Sequence, residues 1–165
     1  MRRLIHSLAL FAAGLVAGHF LPQPTQAQDT RLTGIGLNHY GVAAKDWDAT
    51  IDFYTKTLGF KEAFNFKDKD GNVTTSYVQM SKENFIEISR ATAANPAGVN
   101  HVGIRVDDLN ATVARLRQRG VTVADPHTGG SKAPLTNITD PNGVRLELLE
   151  YPADSLQKKA MDGYR

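Results

Sequence analysis

The sequence predicts an α+β fold built from two tandem βαβββ modules. Three observations carry this. The stretch LNHYGVAAKDWDATI, residues 37–51, returns as VNHVGIRVDDLNATV, residues 99–113. At an offset of 62 residues, Asn38, His39, Gly41, Asp46, Ala49 and Thr50 recur as Asn100, His101, Gly103, Asp108, Ala111 and Thr112. Each copy is followed by a helical pattern and then by strand and turn signals in matching order. Finally, one βαβββ unit covers only one face of its sheet with its own helix, so two must combine to enclose anything.

The first module spans 35–94. Alternation over Ile35 to Val42 gives a strand, and Asp46 caps a helix from about Trp47 to Leu58. Trp47, Ile51, Tyr54 and Leu58 share one face, and Gly59 stops the helix. Strands follow at Phe60 to Phe66, Val73 to Met80 and Phe85 to Ser89, with a turn at Asp70-Gly71. After the linker NPAG at 95–98, the second module spans 99–151. Val99 to Val106 is a strand, and Asp108 caps a helix with Leu109, Val113 and Leu116 on one face and Gly120 at its end. Strands are expected at Val121 to Ala124, Leu135 to Thr139 and Val144 to Tyr151, the last after the turn Asp140-Pro141-Asn142-Gly143. Residues 152–165 read as a polar C-terminal tail.

Residues 1–27 read as a secretory signal peptide: Arg2 and Arg3, the apolar run LALFAAGLVAG, then Thr25 and Ala27 before a cleavage site. A periplasmic or secreted protein is expected, with no membrane attachment after cleavage. His6 and His19 are thereby removed, leaving His39, His101 and His127. The chain of 165 residues carries a net charge of +2, too little for a nucleic-acid footprint. It has no cysteine, which excludes disulfides, a thiolate nucleophile and a Cys-rich zinc site.

Strand alternation sorts the remaining polar residues by face. Val102, Ile104 and Val106 face one way, and His101, Gly103 and Arg105 the other. Ile86 and Ile88 oppose Glu87; Val144, Leu146 and Leu148 oppose Arg145 and Glu147. In the first strand Leu37 falls on the face of His39. Glycine two residues past each histidine, at 41 and 103, clears space expected to receive a ligand. Each half therefore supplies one histidine and one glutamate: His39 with Glu87, and His101 with Glu147. Two imidazoles and two carboxylates make a mixed site for Ni, Zn, Co, Fe or Mn, with two positions left open on an octahedral ion. The two modules would thus form a metal-containing cleft. His127, in a Gly-rich loop without such a partner, reads as a surface residue.

At these residues the chain resembles the vicinal oxygen chelate superfamily, which holds glyoxalases, bleomycin resistance proteins and extradiol dioxygenases. The resemblance covers about 35–151, and IDFYTKTLGF and DPNGVRLELLE are most similar to the glyoxalase I branch. It implies a His, Glu, His, Glu ligand order on His39, Glu87, His101 and Glu147. It also implies a metal-dependent lyase or isomerase acting on a small molecule with oxygens on adjacent carbons. Glu147 would be the base and Glu87 a ligand and opposite-face base; a homodimer is implied too. Glutathione-using relatives carry an arginine where this chain has Ala43 and an asparagine where it has Ala91. Arg105 occupies the equivalent place in the second half and is the expected substrate-binding residue. A non-catalytic small-molecule binder is the rival reading, and an extradiol-type dioxygenase, disfavoured by Glu87, is a third. The spacing leaves open whether one chain or two supply the four ligands.

Overall fold

The computed structural model describes Leu32 and residues 34–165. Residues 1–27, expected above to be a signal peptide, lie outside the described residues, and His6 and His19 with them. The chain runs β1 (Gly36–Ala44), α1 (Trp47–Asp52) continued by a π turn (Phe53–Thr57), β2 (Lys61–Lys67), β3 (Val73–Gln79) and β4 (Phe85–Arg90). Then come β5 (Gly98–Arg105), α2 (Leu109–Gln118), β6 (His127–Thr128), β7 (Pro134–Thr139), β8 (Arg145–Leu149) and α3 (Leu156–Asp162). All strands join one eight-stranded sheet in the order β2-β3-β4-β1-β5-β8-β7-β6. The α+β class is as expected. The two first strands, β1 and β5, lie antiparallel at its centre, and each pairs in parallel with the last strand of its own half, β4 or β8.

Helices α1 and α2 each start where an aspartate accepts a backbone N–H: Asp46 from Ala49 at 3.0 Å, Asp108 from Ala111 at 2.8 Å. The glycines at 59 and 120 follow with φ of +73° and +79°. On the outer face, α1 packs Trp47, Ile51 and Tyr54 against Val78, Ile86 and Ile88, and Arg90 stacks over Trp47. Symmetrically, α2 packs Leu109, Val113 and Leu116 against Val106 and Leu148. Full burial of Ile86 and Ile88 is worth about 1.5–3 kcal/mol each.

Four expectations need correction. Leu58 does not complete the α1 face: it is 46 % exposed. The π turn closes with Leu58 N–H donating to the Phe53 carbonyl, which adds a residue and rotates Leu58 outward; Phe60 packs into the cluster instead. Residues 121–124 form no strand. Arg117 donates to the Val123 carbonyl and Thr136 to that of Ala124, so side chains take the carbonyls a ladder would have used. The sheet edge is the short β6, from within the predicted loop, paired with Pro134 and Leu135 of β7. The supposed tail carries α3, capped by the Ser155 hydroxyl. Lastly, Leu37 does not share a face with His39. The β1–β5 register slips by one between Leu37 and His39, so Leu37 pairs with Ile104 on the helix-facing side.

The sheet curls with its inner face concave. A Cβ on Gly130, in the β6–β7 turn at one edge, would lie 3.5 Å from Phe66 on β2 at the other. Helix α3 lies over this inner face, where Met161 packs with Tyr77, Phe85 and Tyr151.

Candidate metal centre

Across the central β1–β5 pairing, His39 stands opposite Gly103 and His101 opposite Gly41. The parallel pairings place Glu87 beside Gly41 and Glu147 beside Gly103. Each glycine is thus flanked by a histidine from the other half and a glutamate from its own. A Cβ on Gly103 would sit 2.0 Å from His39 Cε1, and one on Gly41 2.0 Å from His101 Cε1. The space cleared by each glycine is filled by the opposite imidazole, not left for a ligand as the sequence suggested.

The four side chains converge at the sheet centre, all from one chain. Their donor atoms lie within 4.8 Å of one another. The two Nε2 atoms are 3.0 Å apart. Glu87 Oε2 lies 3.6 Å from His39 Nε2 and 3.5 Å from His101 Nε2; Glu147 Oε2 lies 3.3 and 3.9 Å from them. An ion about 2.1 Å from each donor needs donor–donor edges of about 3.0 Å at right angles and about 3.4 Å in a tetrahedron. The observed edges fall near both, so the donor set fits a divalent ion. His39, His101 and Glu147 are buried, at 1, 3 and 9 % exposure. Burial of so many ionisable groups is costly unless they are paired or bind a metal.

Sequence reasoning missed the residues that aim these ligands. The register slips mark Asn38 and Asn100 as bulge residues, one in each central strand. Each bulge brings the asparagine beside its own histidine: Oδ1 lies 3.1 Å from His39 Nδ1 and 2.6 Å from His101 Nδ1. When Nδ1–H donates to that oxygen, Nε2 keeps its lone pair for the centre. Asn38 is held in turn by the Tyr151 hydroxyl and by its own donation to the Glu83 carbonyl at 2.7 Å. Asn100 donates to Asn95 at 2.9 Å. Both asparagines stand in the repeated motif, so the signal was present without a role attached.

Tyr77 donates to Glu87 Oε2 at 2.5 Å. Burial pushes the Glu87 carboxyl up, but hydrogen bonds from His101 and Tyr77 and the charge of both histidines outweigh it and hold it below the ordinary range. Burial, then the Glu87 charge, pushes the Tyr77 hydroxyl well above its ordinary value, so it stays a donor. Burial and the charges of Glu147 and Glu87 do the same to Tyr151. Among the described residues no tyrosine hydroxyl donates to Glu147 in this way.

Arg145 Nη2 lies 2.8 Å from His101 Nδ1. A guanidinium only donates, so this contact requires the tautomer whose proton sits on Nε2. Arg105, two residues beyond Gly103, pairs with Glu83 at 3.6 Å and lines a cleft with Glu150, Tyr151, Lys158 and Met161. It is outside the four-donor cluster. His127 is exposed in β6, also outside it.

The family model for the Glyoxalase/Bleomycin resistance protein/Dioxygenase superfamily matches residues 38–135. A probable chloroplastic lactoylglutathione lyase of Arabidopsis thaliana is 30 % identical over 165 residues, covering 91 % of this chain. The chain spans only 45 % of that relative's length. The lactoylglutathione lyase of Escherichia coli O157:H7 is 27 % identical over 124 residues, 69 % of this chain and 91 % of that protein. Among solved structures, the methylmalonyl-CoA epimerase of Mycobacterium tuberculosis superposes with a TM-score of 0.61 at 24 % identity, covering 71 % of this chain and 88 % of that one. The family match covers His39, Glu87 and His101 and more than half of the chain, and with it the chain belongs to the glyoxalase/bleomycin resistance protein/dioxygenase superfamily.

Proposed function

We propose that the protein is a metal-dependent, glyoxalase-like lyase or isomerase acting on a small substrate with oxygens on adjacent carbons. The observation that carries this is the convergence of His39, Glu87, His101 and Glu147 from four adjacent strands to within 4.8 Å. These four would hold a divalent ion: Ni, Zn, Co, Fe or Mn. Such an ion supplies Lewis acidity, drawing negative charge onto a bound oxygen pair and so acidifying the neighbouring C–H.

The chain's own groups divide the remaining work. Glu87 is pinned by Tyr77 and suits a fixed ligand, with its second oxygen available as an opposite-face base. Among the described residues the Glu147 carboxylate pairs with the two imidazoles, at 3.3 and 3.9 Å, without a hydroxyl donor like the one on Glu87, and is the freer carboxylate. It would take the proton from carbon and return it to the adjacent carbon. Tyr77, Phe85 and Met161 pack on the inner face and would limit water beside that transfer, and Arg105, in a cleft shared with Tyr151 and Met161, would draw in anionic substrates. Export to the periplasm or secretion after cleavage behind Ala27 belongs to the same proposal, as does a homodimer; native protein should begin near Gln28.

The test is metal analysis of the purified protein alongside Glu147→Gln and a His39→Ala/His101→Ala double variant. Glu147→Gln should keep the fold and lose turnover; the double variant should lose the metal. Stoichiometric metal in the double variant would overturn the ligand assignment.

A further inference from the structure

Helix α3 bridges the two edges of the curled sheet. At its start the Leu156 N–H donates to the Ser131 carbonyl, in the turn between β6 and β7. Near its end Gln79 of β3 donates to the Ala160 carbonyl at 3.4 Å, and Lys61 of β2 to the Arg165 carbonyl at 2.9 Å. The inward face of α3 is set by Met161, which packs with Tyr77 and Phe85. Tyr77 holds Glu87, and Phe85 is the β4 neighbour of His39. Gln157, one turn earlier, shares that face. It is 0 % exposed, and neither its Nε2 nor its Oε1 has a hydrogen-bond partner.

A primary amide offers two N–H donors and an accepting oxygen. Leaving both ends buried and unpaired is costly, and native proteins rarely do so without an occupant. A leucine or methionine would fill the same space under α3 without that cost. We infer that Gln157 is a substrate-binding residue, hydrogen-bonding a ligand held at the His39/Glu87/His101/Glu147 centre from the side of the C-terminal helix. The inference rests on the proposed metal centre and adds the chemistry of the ligand's other side. An ionised carboxylate could satisfy Nε2 but would leave Oε1 unpaired. The fitting ligand presents an acceptor and a donor side by side: a hydroxyl next to a carbonyl, or an N–H next to one. It is also small, because Met161, Phe85 and Tyr77 already occupy the inner face beside the centre.

Acetohydroxamate is a suitable probe, with two oxygens to chelate a metal and an N–H left over. Calorimetric titration into nickel-loaded, full-length wild type, Gln157→Leu and Gln157→Met would measure its affinity, with nickel affinity measured separately. The expected result is about tenfold weaker acetohydroxamate binding in both variants, the loss of one or two hydrogen bonds. Nickel affinity should be unchanged, and the urea midpoint no lower than wild type. The unbranched methionine variant decides the matter if the leucine variant folds poorly. Equal acetohydroxamate affinity in wild type and Gln157→Met, with nickel bound in both, would overturn this inference alone and assign the amide to internal water. Wild type that takes up no nickel, zinc, cobalt, iron or manganese would overturn the metal centre and this inference with it.

Discussion

Gly103 and His39 face each other across the central strand pair so closely that a methyl group on the glycine would lie 2.0 Å from the imidazole. Gly41 and His101 repeat the relation with the halves exchanged. The duplication in the sequence is therefore reciprocal in space: each motif carries a histidine and the gap that receives the other's. Gly103→Ala should displace the His39 ring and Gly41→Ala the His101 ring. Overpacking of this kind costs about 1–3 kcal/mol of stability. Both variants should show that loss in urea unfolding, and both should bind metal more weakly by competition with a chromophoric chelator. An alanine variant with wild-type metal affinity would show that ring position is not set by this contact.

Asn100 and Arg145 compete for His101 Nδ1, at 2.6 and 2.8 Å. The asparagine oxygen favours the tautomer with Nε2 free, whereas the guanidinium favours the one with Nε2 protonated. Asn100→Leu should therefore lower metal affinity by about 10–100-fold, the usual effect of losing a partner behind a ligating histidine. Arg145→Leu should raise it, by removing both the competing donor and a positive charge near the ion. Unchanged or weaker binding in Arg145→Leu would mean the guanidinium has no hold on the ring.

Tyr77 anchors Glu87 through a hydrogen bond to a carboxylate, an interaction worth about 1.5–3 kcal/mol. Tyr77→Phe keeps the ring stacked on Phe64 and removes only the hydroxyl. The metal-free variant should lose stability in that range. Its acid sensitivity should also weaken, because Glu87 then titrates closer to its ordinary value.

The direction of the Glu87 shift fixes how metal-free protein responds to acid. Its carboxyl is held below the ordinary glutamate value of 4.5, so the unfolded chain takes up the proton first as pH falls. The stabilisation is complete above that ordinary value and is lost as pH drops through the lower, folded one. Asp68 and Asp140, lowered by backbone N–H groups of Asn72 and Val144, act in the same direction at exposed turns. Glu87→Gln should flatten the acid limb of a stability-against-pH curve without abolishing it, since the two aspartates remain. An unchanged acid limb would show that Glu87 is not held by its neighbours.

What was legible in the sequence follows the reach of each signal. Period-two alternation is local, so the inward set of His101, Gly103, Glu87 and Glu147 could be read, as could both aspartate caps. The bulges at Asn38 and Asn100 could not, because an added residue is defined only against the partner strand. For that reason Leu37 fell on the wrong face and the asparagines had no assigned role. Residues 121–124 looked like strand because Val121 and Val123 are β-branched, yet the Val123 carbonyl goes to Arg117. Helix α3 is short and lysine-rich, and its burial depends on a concave surface formed by residues far away in the chain. Tyr77 and Gln157 belong to the site for the same reason, and no motif marks them.

The superfamily relatives include lactoylglutathione lyases, yet this protein should be a poor catalyst of that reaction. Proton transfer would need only a bound metal and the glutamates, and Glu87 and Glu147 stand together in the four-donor group. Binding the glutathione arm needs charge-assisted contacts to its carboxylates, and Ala43 and Ala91 supply none. Losing one such contact costs about 1.5–3 kcal/mol, roughly ten- to hundredfold in affinity. The structure adds a steric reason. Ala43 is only 2 % exposed, and α3 lies over the inner face, so a long conjugate would have to displace packed chain. Metal-loaded protein assayed with the methylglyoxal–glutathione hemithioacetal should stay below about 10⁴ M⁻¹s⁻¹ in kcat/KM, the lower end of ordinary enzyme efficiency. The same preparation should bind acetohydroxamate, which shows that the metal site is competent when the assay is weak. Efficiency above that threshold would establish that the enclosed face opens to glutathione conjugates after all, and would remove the case for a small substrate.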